Sequence, residues 1–315
     1  MWVKPFSELS KDHTHIAGGK GASLGELTCN GIPVPPGFVV LAPSFVRFME
    51  TAGLKDEIEE ILRAVDTSDT RSVGAASEKI QALLLDSSVT MPEDIEAGIV
   101  DAFRALDTEF VAVRSSATAE DSAEAAWAGQ LDTYLNTTER ALLQNVRRCW
   151  ASLFTPRAIF YRFEKNLDQT AISVAVVIQK MVDSVVSGVA FSVDPVTEDR
   201  NYVLIEAAYG LGEAVVSGQI TPDSYVVSKE LRDIIEKTVA KQEKGLYRKK
   251  DGDNEWRGIV ETEAGAQKLS DEHIIALGTL VAHIENHYGA PQDIEWAFEG
   301  GEFFILQSRP ITTLS

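Results

Sequence analysis

The chain is short of cysteine, histidine and positive charge, and it has no long apolar run. Its two cysteines, Cys29 and Cys149, lack any Cys-x-x-Cys spacing, so a disulfide framework and a structural zinc site are disfavoured and buried thiols are expected. No stretch approaches the roughly 20 consecutive apolar residues that span a bilayer. The start, Met1-Trp2-Val3-Lys4-Pro5-Phe6, shows no basic region followed by an apolar one. A soluble, cytoplasmic protein with no membrane partner is the expectation. Lys and Arg number 29 against 48 Asp and Glu, for a formal charge of −19, which argues against a broad nucleic-acid surface built on many cation–phosphate contacts. Any phosphate must therefore be met locally, by a few cations placed for the purpose.

What is present suggests two lobes. At 315 residues the chain exceeds the usual size of one core, and 44% hydrophobic content can fill two. Apolar residues recur at helical spacing over 43–52, 55–65, 71–86, 92–106, 139–150 and 156–166. A short strand over 110–114 is expected to end directly in a polar loop, Ser115 to Asp121. From about 171 the texture changes to Val- and Ile-rich strands at 171–181, 187–193, 202–207, 224–228 and 231–239. A last helix runs from an N-cap at Ser270 to a stop at Gly289, with Pro291 beyond. The class is α+β. The expected organisation is a mainly helical first part over 1–107, a linking region with the Arg114 loop and a hinge strand over 108–185, and a second, β-rich lobe over 186–315. Arg248-Lys249-Lys250, just before Asp251-Gly252, reads as a solvated hairpin tip.

The most informative stretch is the terminal pair of strands, Asp293 to Phe298 and Phe303 to Arg309. Side chains alternate faces along a strand. Asp293, Glu295 and Ala297 therefore share one face, and Gln307 and Arg309 point together, while Ile294, Trp296, Phe298, Phe304 and Leu306 turn towards an apolar layer. A three-residue loop, Gly300-Gly301-Glu302, would set Glu295 opposite Gln307, Asp293 opposite Arg309 and Trp296 opposite Leu306. A slip of one residue would separate the polar sets. A carboxylate beside an amide carbonyl suits a hard cation such as magnesium, and arginine forks onto phosphate.

Three other places could hold phosphate. Gly18-Gly19-Lys20-Gly21 through Gly25-Glu26 puts glycines and a lysine where a helix begins; it is not a Walker A loop, because Lys20 is followed by Gly21. Arg114 with Ser115, Ser116 and Thr118 combines a guanidinium with hydroxyl donors, or else forms a capped turn. Gly210-Leu211-Gly212-Glu213 follows a strand, but Val215 stands where the dinucleotide fingerprint needs its third glycine.

Taken with Ala128-Gly129-Gln130 and Gln307-Ser308-Arg309-Pro310, these blocks occur in an order that resembles the nucleotide-binding domain of the phosphoenolpyruvate synthase and pyruvate phosphate dikinase family, a group that includes rifampicin phosphotransferase. The resemblance spans about residues 5 to 313. It implies an ATP-grasp-like fold, a two-lobed clamp on ATP and magnesium. Lys20 and Arg114 would bind phosphates, Glu295 and Gln307 would hold Mg2+, and Arg309 would stabilise the charge that develops in phosphoryl transfer. Gln179, Met181 and Val182, on or beside a strand resembling the family's hinge strand, would line the adenine pocket. Glu213 would reach the ribose or simply start a helix, and Gln130 belongs to the same binding set. The family moves its phosphoryl group through a histidine on a mobile domain to an acceptor domain. None of His13, His15, His273, His283 and His287 sits in the glycine- and threonine-rich setting of that carrier; the last three are expected to face solvent on the final helix and its flank. The implied function is an ATP-dependent phosphotransferase domain, cleaving ATP towards AMP, with carrier and acceptor domains as partners and pyruvate as final acceptor. A rifamycin acceptor and a purely ATP-sensing module are the alternatives.

Overall fold

The computed structural model describes residues 1–118, 121–122, 125–126, 132–164 and 173–312. The chain divides into two compact units, one of residues 1–30 and 36–181, the other of residues 31–35 and 182–315. Among the described residues no helix is long and apolar enough to cross a membrane.

The first unit contains, in chain order, β1 (Val3–Pro5), α1 (Thr14–Cys29), β2 (Gly37–Val40), α2 (Ala42–Thr51), α3 (Lys55–Arg63), α4 (Thr70–Leu85), α5 (Glu93–Ala105), β3 (Val111–Ala117), a two-residue ladder of β4 (Asp121–Ser122) with β5 (Ala125–Ala126), β6 (Thr133–Thr137), α6 (Glu139–Ala151), α7 (Pro156–Glu164) and β7 (Val174–Lys180). Its main sheet has the order β1-β2-β7-β3-β6, and every neighbouring pair is antiparallel. Alternation sorts the two faces. Phe38, Val40, Val111, Val113, Val176 and Ile178 join one large core with side chains of the helices, including Phe45, Phe48 and Trp150. Trp150 lies 5.1 Å from the Phe48 ring and 5.8 Å from Phe45, separations typical of favourable aromatic pairs.

The opposite face carries α1. Gly18, Gly21 and Gly25 recur at i, i+3 and i+7, and the last two let the helix sit flush. A Cβ on Gly21 would stand 3.0 Å from Val39 Cγ2, and one on Gly25 would stand 2.4 Å from Leu9 Cβ. The expectation of two buried thiols holds for Cys149 alone. Cys29, at the last residue of α1, is exposed.

The second unit contains β8 (Val186–Phe191), β9 (Tyr202–Tyr209), α8 (Glu213–Val216), β10 (Asp223–Ser228), β11 (Asp233–Thr238), β12 (Lys244–Arg248), β13 (Asn254–Gly258), α9 (Glu261–Ala264), α10 (Asp271–Tyr288), β14 (Gln292–Glu299) and β15 (Glu302–Pro310). Six strands form one antiparallel sheet in the order β11-β10-β9-β8-β14-β15. Separately, β12 and β13 pair as a hairpin with Arg248 opposite Asn254, so Lys249 and Lys250 do lie at a tip. Helix α10 starts on Ser270, whose side chain accepts from His273 N–H, and stops at Gly289 with φ 69°. Its buried stripe is Ile274, Leu277, Gly278, Val281 and Ile284. A Cβ on Gly278 would come within 2.9 Å of Val227 Cγ1, so the helix lies directly on β10. His273, expected to face solvent, is half-buried, its ring 4.5 Å from Phe298.

One charged pair is sealed in this unit. Lys268 Nζ stands 3.1 Å from Asp223 Oδ1, both side chains fully buried. The carboxylate also accepts from Tyr225 Oη at 2.5 Å, Ala240 N–H at 3.0 Å and Lys268 N–H at 3.0 Å. Such a pair is tolerable because both carboxylate oxygens are well supplied with donors, and removing one partner strands the other. Replacing Asp223 with Asn is expected to cost about 3–5 kcal/mol. Hydrogen exchange of β10 and α10 peptides should accelerate sharply in the variant, while peptides of the first unit stay as they are.

Candidate functional site

In the first unit the candidate side chains gather on the α1 face of the main sheet. Arg114 is not at a strand end, as expected, but in the middle of β3, which continues through Ser115 and Ser116 to Ala117. The two serines are buried strand residues because their hydroxyls are used by distant segments. Ser115 Oγ donates to Asp132 O at 2.7 Å and Ser116 Oγ to Ala17 O at 3.0 Å. Arg114 is 9% exposed and sits opposite Val177 of β7 and Thr133 of β6. Lys20 Nζ donates to Ser115 O at 3.2 Å, so the lysine is bonded to the backbone of the residue next to Arg114 on β3.

Gln179 lies on the same face as Arg114, in register with Ala112 of β3 and Gly37 of β2. It is 2% exposed, and its Nε2 has no hydrogen-bond partner among the described residues. Met181 follows β7, its N–H donating to Phe110 O at 3.1 Å; Val182 is buried and belongs to the second unit. Gln130 lies outside the described residues.

In the second unit β14 and β15 set Asp293 opposite Arg309 and Glu295 opposite Gln307. The pairing is the expected one, reached by another route. The loop has two residues, with Glu299 opposite Glu302, and Gly300 and Gly301 both take positive φ, 61° and 89°, as a type I′ turn requires. A register shift between Glu295 and Trp296 then places Trp296 opposite Ile305, with Leu306 as the extra residue. The bulge does the work assigned to a third loop residue. It also corrects two apolar placements: Ile305, fully buried, faces Trp296 in place of Leu306, and Phe304 stands opposite Ala297 on the polar face. Without the bulge, Ile305 and Gln307 would share a side, since strand residues two apart point together.

The polar face extends inward across the sheet. Glu295 pairs with Val189, Val189 with Glu206 and Glu206 with Ser224, so Gln307, Glu295, Val189, Glu206 and Ser224 form one row. Arg309, Asp293, Phe191, Leu204 and Val226 form the next. These side chains are half-buried except Gln307, which is 7% exposed, and Arg309, which is exposed. Asp293 holds Arg309 firmly: Nε and Nη2 donate to Asp293 Oδ2 at 2.9 and 2.7 Å. Glu213 starts α8, and its carboxylate accepts from Asn254 Nδ2 at 3.0 Å. Glu206 was not singled out from the sequence, although alternation along the strand from Tyr202 would have placed it.

As donors, the Glu295 carboxylate and the Gln307 carbonyl directly across the ladder fit a magnesium ion, which takes one or two protein oxygens and completes its shell with water and phosphate.

A family model described as pyruvate phosphate dikinase, AMP/ATP-binding domain, matches residues 14–315, and the chain belongs to that family. It is 47% identical over 321 residues to a probable phosphoenolpyruvate synthase of Methanothermobacter thermautotrophicus, covering 99% of this chain and 46% of that protein. A probable phosphoenolpyruvate synthase of Methanocaldococcus jannaschii is 45% identical over 316 residues, with 98% of this chain and 26% of the relative covered. Rifampicin phosphotransferase of Bacillus subtilis is 39% identical over 315 residues, at 99% and 36% coverage. The chain thus spans less than half the length of each of these three relatives.

Burial raises the Glu206 carboxyl above its ordinary value of 4.5. The folded state therefore binds that proton more tightly than the unfolded chain, and the contribution to stability is lost as pH rises through the folded value. Replacing Glu206 with Gln should raise the melting temperature at pH 7 and make little difference at pH 4, as measured by calorimetry at the two pH values.

Proposed function

We propose that this chain is an ATP-grasp-type domain that binds ATP with Mg2+ and cleaves it towards AMP, passing one of the two phosphoryl groups released to a carrier histidine on another domain and the other to water or orthophosphate. The observation that carries this reading is the pair of cross-strand couples, Glu295 with Gln307 and Asp293 with Arg309, on one face of the second sheet. Membership of an AMP/ATP-binding family supports the nucleotide.

In this reading Lys20 and Arg114 bind the phosphates. Arg309, pre-oriented by Asp293, stabilises negative charge as the phosphoryl group moves, an interaction that strengthens in the transition state. Glu295 and Gln307 would hold Mg2+, which would supply neutralisation of the phosphates' negative charge. The adenine lies along Gln179, Met181 and Val182. The buried Nε2 of Gln179 supports this, because an unsatisfied buried donor costs about 1–3 kcal/mol that a base acceptor would remove. Glu213 reaches the ribose, and Gln130 belongs to the same set.

The carrier and acceptor domains are the partners this activity needs, consistent with relatives more than twice as long. We take pyruvate as the final acceptor because relatives named as phosphoenolpyruvate synthases reach 47% identity, although others so named stand at 39%, level with rifampicin phosphotransferase. The direct test is AMP formation on titrating ATP and Mg2+ in the presence of a carrier domain. Binding without AMP would favour an ATP-sensing module.

Two substitutions probe the roles. Arg309→Ala should leave ATP affinity within about tenfold while lowering transfer by on the order of a hundredfold or more; equal losses in both would remove Arg309 from the transition-state role. Glu295→Ala should weaken the dependence of binding and transfer on Mg2+, and an unchanged magnesium titration would strike it from the ligand set.

A further inference from the structure

Helix α1 is broken near its start. Gly18 takes φ 67° and ψ 172°, outside the helical region, so the regular turns that follow begin with Gly19, Lys20 and Gly21. Gly18 thus stands at the N-cap position, and a glycine has no side chain to accept from the third helical N–H, the bond an N-cap serine ordinarily makes. The bond is nevertheless made, by a residue from β3: Gly21 N–H donates to Ser116 Oγ at 3.3 Å. The same hydroxyl donates to Ala17 O at 3.0 Å, holding both sides of the break.

The fit leaves no space for another arrangement. A Cβ on Gly18 would lie 2.2 Å from Ser116 Oγ and 2.3 Å from Ser116 O, and Ser116 itself is fully buried. Lys20 sits one residue before the capped N–H, and its Nζ reaches the carbonyl of Ser115 at 3.2 Å. Ser116 is two residues from Arg114 on the same strand and therefore shares its face.

We propose that Ser116 is a positioning residue. Its hydroxyl serves as the N-cap of the helix that carries Lys20, and so fixes the lysine relative to Arg114 on the strand that supplies the cap. The inference rests on the reading of Lys20 and Arg114 as phosphate ligands. Ser116 touches no phosphate; it acts through Lys20. Two cations on separate segments, one helical and one extended, are registered to each other by one side chain.

The test is a double-substitution cycle in this 315-residue chain, with Mg-ATP affinity measured by titration calorimetry and stability by thermal melting. Ser116→Ala should lower ATP affinity about tenfold, the scale of one hydrogen bond to a charged group weakened by misplacement of its donor. In a Lys20→Met background the same change should alter affinity by less than about twofold, the spread seen for independent sites, while lowering the melting temperature equally in both backgrounds. Ser116→Cys, nearly isosteric but a weak hydrogen-bonding group, keeps the test usable should the alanine variant fold poorly, and should show the same dependence on Lys20. An affinity loss of equal size in both backgrounds, or none in either, would overturn the positioning role. Lys20→Met with unchanged ATP affinity would instead overturn the phosphate-binding reading of Lys20 from which the inference starts.

Discussion

Register between neighbouring antiparallel strands determines what each sheet offers. In the second unit everything depends on a single extra residue, Leu306, in one ladder. Two side chains that strict alternation would point the same way, Ile305 and Gln307, end on opposite sides. Ile305 completes the layer with Trp296 beneath α10, and Gln307 turns to stand across from Glu295. A tight glycine turn and a regular ladder alone would have placed Leu306, an apolar residue, opposite Glu295. The bulge therefore reconciles a short, well-formed turn with a polar row, at the cost of local irregularity in the strand.

In the first unit the comparable constraint is the packing of Ser116 against the broken start of α1. Helix and strand come from positions about a hundred residues apart, and a glycine conformation, a buried hydroxyl and a lysine–carbonyl bond all meet within a few residues of Arg114. Close packing explains the glycines here: Gly21 and Gly25 give the helix a flat face against Val39 and Leu9, and Gly18 makes the break. A glycine-rich helix start read from sequence alone is ambiguous between a turn and an anion cradle. The structure adds a third use, close approach to a strand.

Much of this was legible in the sequence, and the failures have physical causes. The last helix was readable from Ser270 to Gly289 because its cap, its stripe and its left-handed stop are all local. The pairing of Glu295 with Gln307 was readable because period-two alternation leaves few registers, yet its mechanism was misread, since nothing local distinguishes a three-residue loop from a two-residue loop with a bulge. The end of β3 was misplaced because Ser115 and Ser116 look like loop residues. Only their distant acceptors, Asp132 and Ala17, make them satisfied in a buried strand. Cys29 was expected inside because its sequence neighbours are apolar or helical, and it is exposed at the last residue of α1.

For a chain of net charge −19, the proposed binding of a polyanion poses a problem of electrostatics as well as geometry. A surplus of carboxylates repels phosphate at long range, but over more than about 8–10 Å that repulsion is largely screened at physiological salt. What remains, under the proposed function, is decided by the groups proposed to touch the ligand. Arg309 is fixed through two hydrogen bonds to one oxygen of Asp293, and Lys20 through Ser115 O, so their orientation is set before any ligand arrives and less side-chain entropy is lost on binding. Anchoring Arg309 to a carboxylate does lower its local potential. It also sets the plane of the guanidinium, and a fixed plane is what a forked bond to phosphate requires and what a mobile lysine could not supply. Holding a few cations rigidly thus substitutes for having many of them.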